Sequence, residues 1–320
     1  MNSRERFQET MCYGAIDHVP LFEEGIREEV LETWQIPGND LAQFFSYDGR
    51  EEIDTDLYSA LDVTCLPPNN RGLRSFRDSL DADDPERLPE NWRNKVRDWK
   101  ERQHVLMLDV HEGLFLTLRV KEAESFQRAI YLITDHPQFV RQLLEIQGEF
   151  AAKIAERVLK EVVVEAAIFG EPVASSHGPL VSPRTYGELV LPSYRPILDV
   201  LHKYRVETII FRTYANARLL LPAVVQAGFN CLWANERQLP AMDYLDIRRE
   251  FGRELRLIGG IDLDVLRQDE TAIQCELDRV LSPLLAQGGY IPLLDGRVRE
   301  NIPFERYSYY RRELEARLKR

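Results

Sequence analysis

Cysteine is scarce in this sequence: Cys12, Cys65, Cys231 and Cys275 stand far apart, with no C-x-x-C pair. That argues against a zinc ribbon or a disulfide framework and for free or buried thiols in a reducing compartment. There is no apolar run of 18 residues to span a bilayer, and the opening MNSRERFQET has no signal-type apolar core. No Lys/Arg-rich block occurs either, and the 53 acidic against 41 basic residues leave a net charge of −12. A nucleic-acid binder needs a basic face to displace counterions, so this class is set aside. The expectation is a cytoplasmic protein with no membrane and no nucleic-acid partner.

Familiar site motifs are missing as well. There is no G-x-G-x-x-G after the first apolar run, no P-loop, no G-x-S-x-G and no H-E-x-x-H, which argues against dinucleotide binding, ATP-driven phosphate transfer and the common serine or zinc hydrolases. The six histidines include none in H-x-C or C-x-x-H spacing. A tetrahedral zinc site would need His111 and His177 from separate loops. An oxygen-rich metal site from Glu23, Glu112, Glu171 and Asp295 has no diagnostic spacing. No metal is assigned.

What is present is an alternation of short apolar runs and helical periods. At 44% hydrophobic and 29% charged residues the 320-residue chain reads as globular. Strands are expected at 18–22, 61–65, within 104–120, and at 162–169, 207–211, 230–234, 255–261 and 290–294. Helices are expected at 3–11, 26–35, 92–102, 122–133, 137–159, 183–204, 217–226, 243–251, 264–285 and 303–318. Continuous apolar strands alternating with helices mean a parallel sheet covered by helices, and eight of them favour a (β/α)8 TIM barrel. The polar stretch 68–103 has too few apolar residues for a core of its own and reads as an excursion over one end of a single domain spanning 1–320.

In such a fold the chemistry belongs at the C-terminal strand ends, and seven strand ends here carry ionisable groups. The first ends in Glu23-Glu24 with Arg27 following, and the third run holds Asp109 and His111-Glu112. Then come Glu171 with His177 behind it, Arg212-Thr-Tyr214, Glu236, Asp262, and Asp295 with Arg297. Each has an ordinary reading beside the functional one. Loop acids are usually solvated, Asp262 can cap the following helix, His177 can bond its own Ser175-Ser176 loop, and Arg212 after Ile209-Ile210-Phe211 calls for an acidic partner. Tyr307, Tyr309 and Tyr310 read as burial of the last helix more readily than as an interface.

The order of segments resembles the uroporphyrinogen decarboxylase superfamily. The carrying residues are Asn2-Ser-Arg-Glu-Arg-Phe7, Asp17-His-Val-Pro-Leu21, Gly178-Pro-Leu-Val-Ser-Pro183 with Leu191-Pro-Ser-Tyr194, Gly228, Gly259-Gly-Ile-Asp262, and Gly288-Gly-Tyr-Ile-Pro292 through Asn301-Ile-Pro303. The resemblance implies a distorted (β/α)8 barrel and a homodimer. One branch of that family removes carboxylates from a tetrapyrrole without metal or organic cofactor, arginines holding substrate carboxylates. The other comprises corrinoid-linked methyltransferases in which zinc is held by His-x-Cys and a distant Cys. Where that branch has His-x-Cys-Gly-Asn, this chain reads Arg212-Thr-Tyr-Ala-Asn216, and the decarboxylases' arginine-rich segment is here Phe22-Glu-Glu-Gly-Ile-Arg27.

The expectation is therefore a cofactor-free, decarboxylase-like enzyme for a carboxylated or tetrapyrrole-type small molecule. Glu23, Glu171 and Asp295 are its candidate catalytic carboxylates. Arg27, His111, Glu112, His177, Arg212, Tyr214, Glu236, Asp262 and Arg297 are its candidate substrate contacts. Methyl transfer with a corrinoid protein as partner is the alternative, and a non-catalytic ligand binder the third.

Overall fold

The computed structural model describes residues 1–36 and 41–319. Contacts divide the chain into two units that interleave in sequence. One contains residues 51–102 and 106–230, the other residues 1–50, 103–105 and 231–320.

In the first unit the strand order is β1 (Arg50–Ile53), β2 (Val105–His111), β3 (Ala166–Glu171) and β6 (Thr208–Tyr214); β4 (Ala174–Ser175) and β5 (Gly178–Pro179) form a separate antiparallel hairpin. β2, β3 and β6 run parallel. Ala166-Ala-Ile-Phe169 and Thr208-Ile-Ile-Phe211 are buried throughout, the continuous apolar signature of strands covered on both faces. The long helix Pro137–Leu159 starts on a proline whose missing N–H costs nothing there, and it buries Val140, Leu143, Leu144 and Ala151. It lies against helix Leu191–Lys203 so closely that a Cβ at Gly148 would stand 2.0 Å from the Ser193 carbonyl oxygen. Ahead of that helix the backbone makes a π turn over Tyr186–Val190, followed by Pro192, which has no N–H to continue an α ladder.

In the second unit, β7 (Cys231–Asn235), β8 (Arg256–Gly259) and β9 (Tyr290–Ile291) are parallel neighbours. Helices Tyr244–Phe251 and Glu270–Gln287 follow β7 and β8, each opened by an aspartate cap, Asp243 and Asp269. Phe304–Leu318 closes the chain. The first helix, Ser3–Met11, carries a full capping box between Asn2 and Glu5.

The α/β character with parallel strands agrees with the sequence pattern, and three expected strands differ. Residues 18–22 carry no strand pairing, His18 lying in a bend and 19–22 in irregular backbone, while Ile26, further on, bridges Val298 in parallel. Residues 61–65 turn into a 3-10 helix, Val63–Cys65, because the Asp62 carboxylate accepts from the Thr64 N–H and hydroxyl. β1, Arg-Glu-Glu-Ile, is a strand the sequence hides: three of its four residues are charged. Within 104–120 the strand ends at His111 and a short helix, Gly113–Thr117, takes over. Among the described residues no helix is long and apolar enough to cross a membrane.

Candidate active site

Strand register in the first unit decides which side chains meet. Asp109 and Ile210 both stand opposite Ile168, and Arg212 opposite Gly170. Paired residues in parallel strands point the same way and residues two apart share a face. Asp109, Arg212 and Tyr214 therefore project from one side. Between Asp109 and His111 the register slips, so that His111 faces Phe169. This bulge at Val110 turns His111 to the opposite side, where its ring lies 4.6 Å from that of Tyr194 and stacks on Phe169 at 6.3 Å.

Asp109, His111, Glu112, Leu116, Arg212 and Tyr214 line a cleft of about 330 Å³ at these strand ends. Its electrostatic centre is Arg212. Nη1 donates to Glu52 at 2.7 Å and Nη2 to Asp109 at 3.1 Å. Burial works against the Arg212 charge, yet Asp109 and Glu52 together hold it more firmly protonated. Burial raises the Asp109 carboxyl to about 7; Arg212 opposes the rise, while Glu52, Asp54 and Glu112 add to it. Burial also raises Glu112, against a hydrogen bond from Tyr58. Burial lowers His111 to about 3, so its ring is neutral. Its Nδ1 accepts the Gly113 N–H at 2.8 Å, which assigns the ring proton to Nε2.

Glu171 is not among the residues lining that cleft. It is fully buried on the helix-facing side, accepting from the Leu114 N–H and the Tyr186 hydroxyl, each at 3.0 Å, and from the Tyr194 hydroxyl. Burial raises its carboxyl, and those three donors oppose the rise. Gly113 makes this possible: its φ is +83°, and a Cβ there would lie 2.4 Å from Glu171 Oε1. Glu171 thus ties a strand end to two helical segments. His177 is exposed at the β4–β5 turn and bonds its own Ser175-Ser176 loop, Nδ1 lying 3.1 Å from the Ser176 hydroxyl.

The other sequence candidates belong to the second unit. Glu23 lies against Arg311 at 3.5 Å and accepts from the Tyr307 hydroxyl at 3.3 Å; burial raises its carboxyl and Arg311 opposes this. Asp295 is paired with Arg237 at 3.2 Å and accepts the Leu263 N–H at 3.0 Å. Burial moves it up to about 6 against the pull of Arg237. Asp262 caps the turn Leu263–Arg267 by accepting the Asp264 N–H. Glu236 is exposed, adopts φ +47° and pairs with Arg299 at 3.2 Å. Arg27 and Arg297 are exposed.

Sequence reasoning noted Asp109 in the third apolar run without carrying it among the candidate site residues, and it missed Glu52 altogether. Asp109 had a visible signal, a single acid inside the apolar run Val105-Leu-Met-Leu-Asp-Val110. Glu52 had none, because β1 has no apolar pattern. Among the described residues no group of three or more His, Cys, Asp or Glu side chains is placed to hold a metal ion. Nor do Arg212 and Tyr214 suit the zinc of the methyltransferase branch: a guanidinium has no lone pair to offer, and this one is committed to two carboxylates.

The family model described as Uroporphyrinogen decarboxylase (URO-D) matches residues 118–307, more than half of the chain. No curated protein matches the sequence. Among solved structures, a methyltransferase from Methanosarcina mazei is 14% identical, with 98% of this chain and 99% of that one covered at a TM-score of 0.61. It shares the fold. A putative vitamin-B12-independent methionine synthase from Listeria monocytogenes is also 14% identical, covering 70% of this chain and 68% of its own at a TM-score of 0.41. The chain belongs to the uroporphyrinogen decarboxylase family.

Proposed function

We propose that the cleft between β2 and β6 is the reaction site of a decarboxylase-like enzyme that needs neither metal nor organic cofactor and acts on a small carboxylated molecule. The observation that carries this reading is Arg212, a part-exposed guanidinium at a strand end, beside an aspartate poised to exchange a proton near neutrality. A guanidinium can hold a carboxylate through two parallel hydrogen bonds. A neighbouring acid can deliver the proton that replaces the lost carboxylate carbon on the product. His111, Glu112 and Tyr214 line the space around such a substrate.

The test is carbon dioxide release from uroporphyrinogen and from a set of small mono- and dicarboxylic acids, with Arg212→Ala beside the wild type. A loss of about 10²–10⁴ in rate is expected. Unchanged turnover in the variant sinks the assignment. The second reading, methyl transfer with a corrinoid partner, takes its support from the family's other branch and from the shared fold of the Methanosarcina mazei methyltransferase. Stoichiometric zinc in purified protein together with thiol methylation favours that reading over the first.

A further inference from the structure

The cleft sets two carboxylates against Arg212, and the two are not equivalent. Glu52 takes the shorter contact, 2.7 Å, and its side chain is 26% exposed; Asp109 takes the longer, 3.1 Å, and is 18% exposed. Further negative groups act on Asp109: Asp54, just beyond β1, and Glu112, at the end of β2. Tyr214 from β6 and the neutral His111 complete the surroundings. Carboxylates crowded around a shared cation cannot all ionise at ordinary cost, and the one worst solvated and worst paired keeps its proton longest.

We infer that Asp109 carries the exchangeable proton of this cleft, and that a small carboxylate is bound together with a proton. The incoming anion takes hydrogen bonds from Arg212. Asp109, with less of the guanidinium and one more negative neighbour, then accepts a proton from solvent and stands as a neutral acid beside the ligand. No covalent bond changes in this step, and the charge brought in by the anion is balanced by the proton. Burial already raises the Asp109 carboxyl to about 7 without a ligand, in keeping with this order of events. The uptake half rests on the carboxylate reading proposed above; the resting proton does not.

Two measurements on the full chain decide it. In an infrared titration from pH 5 to 9 the wild type should show, beside the buried carboxyls of Glu23, Glu171 and Asp295, which every variant keeps, a further protonated carboxyl band that fades near pH 7. The band should be absent from Asp109→Asn and should fade at lower pH in Glu52→Gln, where Arg212 serves Asp109 without that competitor. A wild type without such a band, or an Asp109→Asn protein that keeps it, overturns the resting proton.

Calorimetry with propionate at pH 8, in two buffers of different ionisation heat, should then report uptake approaching one proton per ligand in the wild type and none in Asp109→Asn. Equal uptake in both, or none in the wild type, overturns the coupling. Failure of propionate to bind the wild type, or undiminished binding by Arg212→Ala, overturns the coupling together with the carboxylate reading. The resting proton then stands or falls on the infrared result.

Discussion

At the scale of single residues, burial and partner choice separate carboxylates that look alike in the sequence. Glu171 has three donors and no exposure, so Glu171→Ala would strand the Leu114 N–H and two tyrosine hydroxyls. A loss of about 2–5 kcal/mol is expected in urea unfolding. Asp295 makes a prediction of a different sign. Its carboxyl is raised from 3.8 to about 6 in the folded chain, so the folded state binds protons more tightly than the unfolded one. Its favourable contribution is full below pH 4 and is lost as pH rises to 6, on the order of 3 kcal/mol. Urea midpoints at pH 4 and pH 7.5 should fall less with pH in Asp295→Asn than in the wild type; parallel behaviour would refute this. Arg212 needing acidic partners was readable from the apolar residues before it, and both partners are now identified. Which acids they were was not readable, because Glu52 is 160 residues away in the chain.

At the scale of elements, the apolar periodicities gave the long helices and the later strands, with end shifts of a few residues, but not the polar helix Asn70–Asp78. They missed where polar chemistry overrides hydrophobic pattern: Asp62 converts a would-be strand into a capped turn, and β1 pairs despite its charge. The bulge at Val110 was equally invisible, since register depends on the partner strand. Val110 is the extra residue: with it deleted, Asp109 and His111 would alternate directly, still opposite Ile168 and Phe169, and Asp109 would keep its place beside Arg212. The variant is expected to keep both the protonated carboxyl band near pH 7 and its far-ultraviolet circular dichroism, and loss of the band would show that the bulge itself holds Asp109 in place. The turn after β2 offers a second check. Gly113→Ala meets both a positive φ and a Cβ only 2.7 Å from the Gly170 carbonyl oxygen, and should cost about 2–4 kcal/mol by chemical denaturation.

At the scale of the whole molecule, family membership was legible from scattered short segments, while the substrate was not. Motif positions carry the fold, and the chemistry proposed above is placed on side chains that differ from the family motifs, Arg212 and Tyr214. Elemental analysis of the purified protein is expected to show no stoichiometric zinc, because a guanidinium bonded to Glu52 and Asp109 is no zinc ligand. A zinc content near one per chain would reverse the ranking of the two functional readings.

The interleaving of the two units has a consequence for biosynthesis. Residues 51–230 emerge from the ribosome nearly as one block, whereas the unit that begins at Met1 is completed only when residues 231–320 arrive. Until then Met11 has no Arg256 to take up its carbonyl, Tyr13 no Arg253, and the indole of Trp34 no Ile302 carbonyl. A nascent chain halted after Asn230 should lose residues 1–50 to protease while the middle block resists, so the opening helix waits, unprotected, until residues 231–320 have been made.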